Sequence, residues 1–205
     1  SGVKILAGSA AEKVDVDLEG ASVTLAEGTV LNAERILVSV GRRPRLNDLG
    51  LEEAGIDYSP SGISTDGNQL TNLAGVYAAG DVTGRWQLAH AGSAQALAAV
   101  DHMFGEGTRR VNPDTMPGCI FTCPEIAVVG PGTEQWNERG VRVHSRKVRY
   151  IANGKAVGMN ETDGFVKLVV RETDQVVVGV QIVGAHASSL VGEAVMAVNL
   201  GIRAS

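Results

Sequence analysis

The chain has 205 residues, 44% of them hydrophobic, with 18 basic against 23 acidic side chains and a formal net charge of -5. That length suffices for one or two modest domains with a real core, and the small acidic excess gives no electrostatic reason to expect nucleic acid or an anionic membrane as a partner. The longest run free of Asp, Glu, Lys and Arg, residues 175–192, is broken by glycines, serines and His186 and does not read as a membrane span. Two cysteines are too few for a disulfide framework, and the opening SGVKILAGSA lacks the features of a signal peptide, which together favour a reducing, cytoplasmic setting. A first residue of Ser1 rather than Met reads as an interior starting point.

Residues 3–7 read as a strand. Two alternating runs follow, Val14-Asp15-Val16-Asp17-Leu18 and Ser22-Val23-Thr24-Leu25, and the intervening Glu19-Gly20-Ala21 predicts a hairpin with one wet face. Residues 36–40 are mostly apolar and end at Gly41-Arg42-Arg43-Pro44, the pattern of a buried strand with a sharp exit. The Gly-, Asn-, Asp- and Ser-rich residues 45–70 predict a turn-rich return with a short strand at 63–65.

Residues 76–79 are a short apolar run that leads straight into Gly80-Asp81, as at the carboxyl end of a buried strand where open α/β sheets bind ligands. Glycine there lets a ligand approach the main chain, and the Asp81 carboxylate can accept from a ligand hydroxyl. Residues 88–104, dense in Ala and free of Pro, predict a helix whose free N–H groups point into the same crevice.

Residues 105–108 and Asn112-Pro113 mark a boundary, beyond which the pattern becomes antiparallel strands with helices on one side. Strands are predicted at 120–129, 141–150, 165–171 and 176–183, with a short helix at 133–139 ended by Gly140. A last helix over 189–200 has Ser188 as its cap, Gly201 as its stop, and a buried stripe of Leu190, Val191, Ala194, Val195 and Val198. Cys119 and Cys123 flank a strand-forming Ile120-Phe121-Thr122, which would hold their Cα atoms roughly 13 Å apart. A disulfide needs about 4.4 to 6.8 Å, so no bridge is expected. No repeat, low-complexity tract or metal-ligand cluster is evident.

The string TNLAGVYAAGDVTGRWQLAHAG resembles the second flavin-binding motif of the pyridine nucleotide-disulfide oxidoreductases. ILVSVGRRP before it, and TCPEIAVVG, ANGKAVGMNETDGFVKL and VVGVQIVGAHASSLVGEAV after it, are similar to the same family in the same order, most of all to its dihydrolipoamide dehydrogenase branch. The resemblance implies an α/β plus α+β architecture. Residues 1–43 would close the NAD-binding domain, 44–110 would form the second part of the FAD-binding domain, and 111–205 an α+β dimerisation domain with an antiparallel sheet. It implies that Asp81, presented by Gly80, binds the ribityl chain of FAD, and that the backbone of Gln87, Leu88, Ala89 and His90 lies near the flavin pyrimidine edge. A helix N-terminus would stabilise negative charge on the reduced ring there. Gly41 would lie near the nicotinamide end of NAD.

The family's dinucleotide fingerprint, its C-x4-C redox pair and its His-Pro base segment do not occur in this stretch, so no residue here is assigned as catalytic. The implied activity is that of an intact parent, electron transfer from dihydrolipoamide to NAD+ through FAD, with this chain alone inactive. The implied partners are a second copy, through residues 111–205, and lipoyl-bearing 2-oxoacid dehydrogenase components. Two other readings stay open: a non-catalytic dimerisation module, and a sibling such as a glutathione or mercuric reductase or a soluble transhydrogenase. The disulfide substrate and the choice of NAD over NADP also stay open. By itself the first half should expose apolar faces and unpaired edges, so that these residues alone aggregate or fold only from about Val111 onward.

Overall fold

The computed structural model describes residues 2–18 and 20–204, in two bodies that divide between Arg42 and Arg43. In the first body β1 (Ala11–Val16), β2 (Ala21–Leu25) and β3 (Val30–Ala33) form an antiparallel sheet in that order. The expected hairpin is present, with Val14 opposite Val23 and Val16 opposite Ala21, but all of β1 is exposed rather than one face alone. Asp17 closes its turn by accepting from the Gly20 N–H at 2.9 Å, while Glu19 lies outside the described residues.

Residues 3–7 and 36–40, both expected as strands, pair with nothing in the sheets, and Leu37 and Val40 are each 91% exposed. A continuous apolar run of this kind becomes a strand when a neighbouring strand pairs with it and both of its faces are covered, as in a parallel sheet. No described strand takes that position.

The second body opens with α1 (Leu51–Ala54) and a small hairpin of β4 (Tyr58–Ser59) and β5 (Gly62–Ile63). Leu51, Ile63 and Ala78 make a minor core with Leu46, Ile56 and Val82. The strand expected at 76–79 is reduced to one bridge, Leu70 to Tyr77, supported by Ala78 N–H donating to the Gln69 carbonyl at 3.0 Å. Next comes α2 (Ala89–Phe104), which buries Ala91, Gln95, Ala98 and Ala99. These four recur at helical spacing and form a narrow stripe, three alanines with Gln95 among them. Leu97, Val100 and Phe104 remain exposed on it.

The remainder is built on a five-stranded antiparallel sheet. In chain order its elements are β6 (Gly118–Ile120), β7 (Ile126–Val129), α3 (Thr133–Glu138), β8 (Val143–Arg149), α4 (Gly154–Gly158), β9 (Phe165–Arg171), β10 (Val177–Val183) and α5 (Ala187–Asn199). The strands lie in the order β6-β7-β10-β9-β8. The single strand expected over 120–129 is instead a hairpin, with Ile120 opposite Ile126.

On one face α5 packs Ala187, Val191 and Ala194 against Ala127, Val129, Val180 and Ile182, with Leu168 alongside. Trp136 of α3 packs instead on Val143, Val169 and Val178. Leu168 and Val169 are successive in β9 and so point to opposite faces, which puts α3 and α5 on opposite sides rather than on one. Each valine buried here contributes roughly 1.5–3 kcal/mol, enough for this sheet to carry its own core. At the start of α5 the N-cap is His186, at φ 61, rather than Ser188, and Leu190 is 41% exposed rather than buried.

Candidate functional site

The turn at Gly80-Asp81 is held from behind. Gly80 sits at φ 84 and ψ -154, a conformation that glycine alone adopts without strain. Its N–H donates to Gln95 Oε1 at 2.7 Å, and its carbonyl accepts from the Thr83 N–H at 3.0 Å and from Thr83 Oγ1 at 2.9 Å. Asp81 begins the 3-10 turn Asp81–Thr83, and its own carbonyl accepts from the Gly84 N–H at 3.0 Å. The backbone on both sides of Asp81 is thus fixed, while the residue itself is exposed.

On its outer side the turn is open, since a Cβ added at Gly80 would meet nothing within 4 Å. On its inner side α2 presses close, because a Cβ at Gly92 would lie 3.3 Å from the Gly80 Cα. α2 starts from Leu88 in extended conformation with no side-chain cap, so its first N–H groups keep their donor capacity and the partial positive charge of a helix N-terminus. Gln87 and Leu88 are half-buried, and Ala89 and His90 are exposed. The His90 ring contacts the Pro117 carbonyl through Nε2 at 2.8 Å. An exposed carboxylate on a fixed turn, a bare glycine backbone beside it and an uncapped helix start together suit a ligand rich in hydroxyls and carrying negative charge.

The second body therefore brings together Gly80, Asp81, Gln87, Leu88, Ala89 and His90. Gly41 belongs to the first body, at φ 97 with open space around a would-be Cβ. Gln95, Thr83 and Gly92 were not expected from the sequence. The available signal was Gln95 itself, a polar residue on a helix face otherwise made of small apolar ones.

Both cysteines are free. Burial, and after it the Glu125 charge, pushes the Cys119 thiol above its ordinary value and so disfavours the thiolate that redox chemistry needs. Among the described residues no group of His, Cys, Asp and Glu could hold a metal ion. The sheet part carries a separate hollow of about 520 Å³ lined by Val148, Tyr150, Met159, Val166, His186 and Leu190.

Comparison with known proteins gives this geometry a family. Residues 1–96 match "Pyridine nucleotide-disulphide oxidoreductase" and residues 116–205 match "Pyridine nucleotide-disulphide oxidoreductase, dimerisation domain". The chain belongs to this family. Within it, the chain is 35% identical over 198 residues to dihydrolipoyl dehydrogenase of Chlamydia muridarum, covering 96% of this chain and 42% of that protein. It is 36% identical over 206 residues to the Bacillus subtilis dihydrolipoyl dehydrogenase, covering 98% of this chain and 44% of that protein. Among solved structures, LpdA from Mycobacterium tuberculosis superposes with a TM-score of 0.90 at 30% identity, over 98% of this chain and 44% of that one. The chain thus spans less than half the length of the family members it matches.

Proposed function

We propose that this chain is the later portion of a dihydrolipoyl dehydrogenase-like flavoprotein that carries electrons from dihydrolipoamide to NAD+ through FAD. The fixed Gly80-Asp81 turn, facing outward beside the uncapped start of α2, is the observation that carries this reading. In the proposed complex Asp81 accepts from ribityl hydroxyls, the bare edge of Gly80 lets the ligand close on the backbone, and the amides of Gln87 to His90 donate toward the flavin ring. Bound there, the flavin supplies the electron relay between a dithiol and NAD+, and the protein supplies position and charge. Gly41 is proposed to approach the nicotinamide end of NAD, consistent with its permissive φ of 97.

The proposed functional parts are 1–43 for NAD, 44–110 for FAD and 111–205 for pairing with a second copy. The hollow lined by Val148, Met159 and Leu190 supports the last of these, as apolar surface that a second copy would cover. Lipoyl-bearing 2-oxoacid dehydrogenase components are the proposed partners of the dimer. A cytoplasmic setting is proposed on the two unpaired thiols. Among the described residues no helix is long and apolar enough to cross a membrane.

The test is made on the full-length protein. It should purify with flavin absorbance and reduce NAD+ with dihydrolipoamide, and Asp81→Asn should weaken FAD binding on the order of tenfold or more, as expected for a lost charge-assisted hydrogen bond. A colourless protein, or an Asp81→Asn variant with undiminished flavin affinity, would reject the reading in favour of a non-catalytic dimerisation module.

A further inference from the structure

We propose that Gln95 is a positioning residue for the flavin site, acting through the Gly80–Thr83 turn to set the direction in which Asp81 meets the prosthetic group. This rests on the flavin role proposed for Asp81. Gln95 is fully buried, at 0% exposure, and both ends of its amide are used. Oε1 accepts from the Gly80 N–H at 2.7 Å, and Nε2 donates to Thr83 Oγ1 at 3.2 Å. Thr83 Oγ1 in turn donates to the Gly80 carbonyl at 2.9 Å. The result is a closed ring of hydrogen bonds that clamps the turn on both sides of Asp81 and Val82.

The amide cannot be turned round, because the Gly80 N–H is only a donor and must face the side-chain oxygen. Simple core filling does not account for this choice. Gln95 shares its buried face with Ala91, Ala98 and Ala99, where an apolar side chain would bury well without needing partners. A buried amide whose acceptor and donor both land on one short turn is a device for fixing that turn, and such satisfied networks rigidify what they hold. Of the two residues between the clamped ones, Asp81 is the charged one, and it is exposed.

A double-mutant cycle on the full-length flavoprotein tests the proposal, reading FAD dissociation from the apoprotein by flavin fluorescence and the environment of the bound flavin by visible circular dichroism. The expected result is that Gln95→Leu weakens FAD binding on the order of tenfold. It should also alter the flavin dichroism, and added to Asp81→Asn it should cause little further loss, because both act on one contact. Thr83→Val, which removes the second partner of Gln95 without touching α2, should behave in the same way and keeps the test open if Gln95→Leu does not fold.

Two results would overturn the role of Gln95 while leaving that of Asp81 intact. One is unchanged affinity and dichroism in the folded variants, and the other is losses that add to that of Asp81→Asn. An Asp81→Asn variant with full affinity would instead remove the flavin reading itself and the positioning role with it.

Discussion

At the scale of single residues, Glu125 shows how a distant side chain can do the work of a local cap. It lies in the turn between β6 and β7, and its carboxylate accepts from the Ser188 N–H at 2.9 Å and from Ser188 Oγ at 2.7 Å in the first turn of α5. The Ser188 backbone bond, then the Ser188 hydroxyl, hold the Glu125 carboxyl below its ordinary value, with burial opposing and His186 assisting. A carboxylate whose folded value is depressed adds stability that is complete above its unfolded value, about 4.3, and is lost as pH falls through the folded value. Glu125→Gln should therefore lower the melting temperature at pH 7, and the difference should shrink as the pH is taken below about 4. Equal differences at both pH values in thermal melts would show that the charge is not the stabiliser. Ser188 could be picked out as belonging to a helix start, but nothing local says that its partner is 63 residues away.

At the scale of elements, the connection from β10 to α5 depends on a tight contact. Gly184 sits at φ 147, and a Cβ there would lie 2.5 Å from the Tyr150 ring, whose hydroxyl donates to the Ala185 carbonyl at 3.0 Å. Gly184→Ala is expected to cost at least about 2 kcal/mol, from backbone strain together with displacement of the ring. Urea unfolding would measure it, and a change below about 0.5 kcal/mol would mean that the ring yields freely. The elements around this turn were readable to different degrees. β9 coincides with its predicted span, residues 165–171, because its residues pair with β8 and β10, both of which are in the chain. The hairpin of β1 and β2 was legible for the same reason, as its two halves are adjacent. Residues 36–40 have equally strong strand character and form none, since strand character needs a neighbour to become a strand.

At the scale of the whole molecule, the apolar residues left outside are as informative as the core. Leu190 is 41% exposed and Met196 62% on α5, with Leu200 at 66% just beyond it, and Val148 and Met159 line the adjoining hollow. Exposed apolar residues beside an apolar hollow suit an association surface, and in a homodimer of cyclic symmetry the same surface serves both copies. Leu190→Asp in the full-length protein should convert dimer to monomer at micromolar concentration in sedimentation velocity. A dimer that persists unchanged would move the interface away from α5.

The helix after Gly80-Asp81 could be read from the order of residues because it rests on local chemistry, an alanine-rich run without proline, whereas family membership was legible through the resemblance of whole motifs kept in order. The roles of Gln95, Thr83 and Gly92 could not. They arise where α2 folds back on the turn, and a hydrogen bond between Gln95 and Gly80 spans 15 residues that no periodicity connects. The same holds for the exposure of Leu190: helical spacing says which residues share a stripe, but the position of the sheet beneath α5 decides which edge of that stripe is covered.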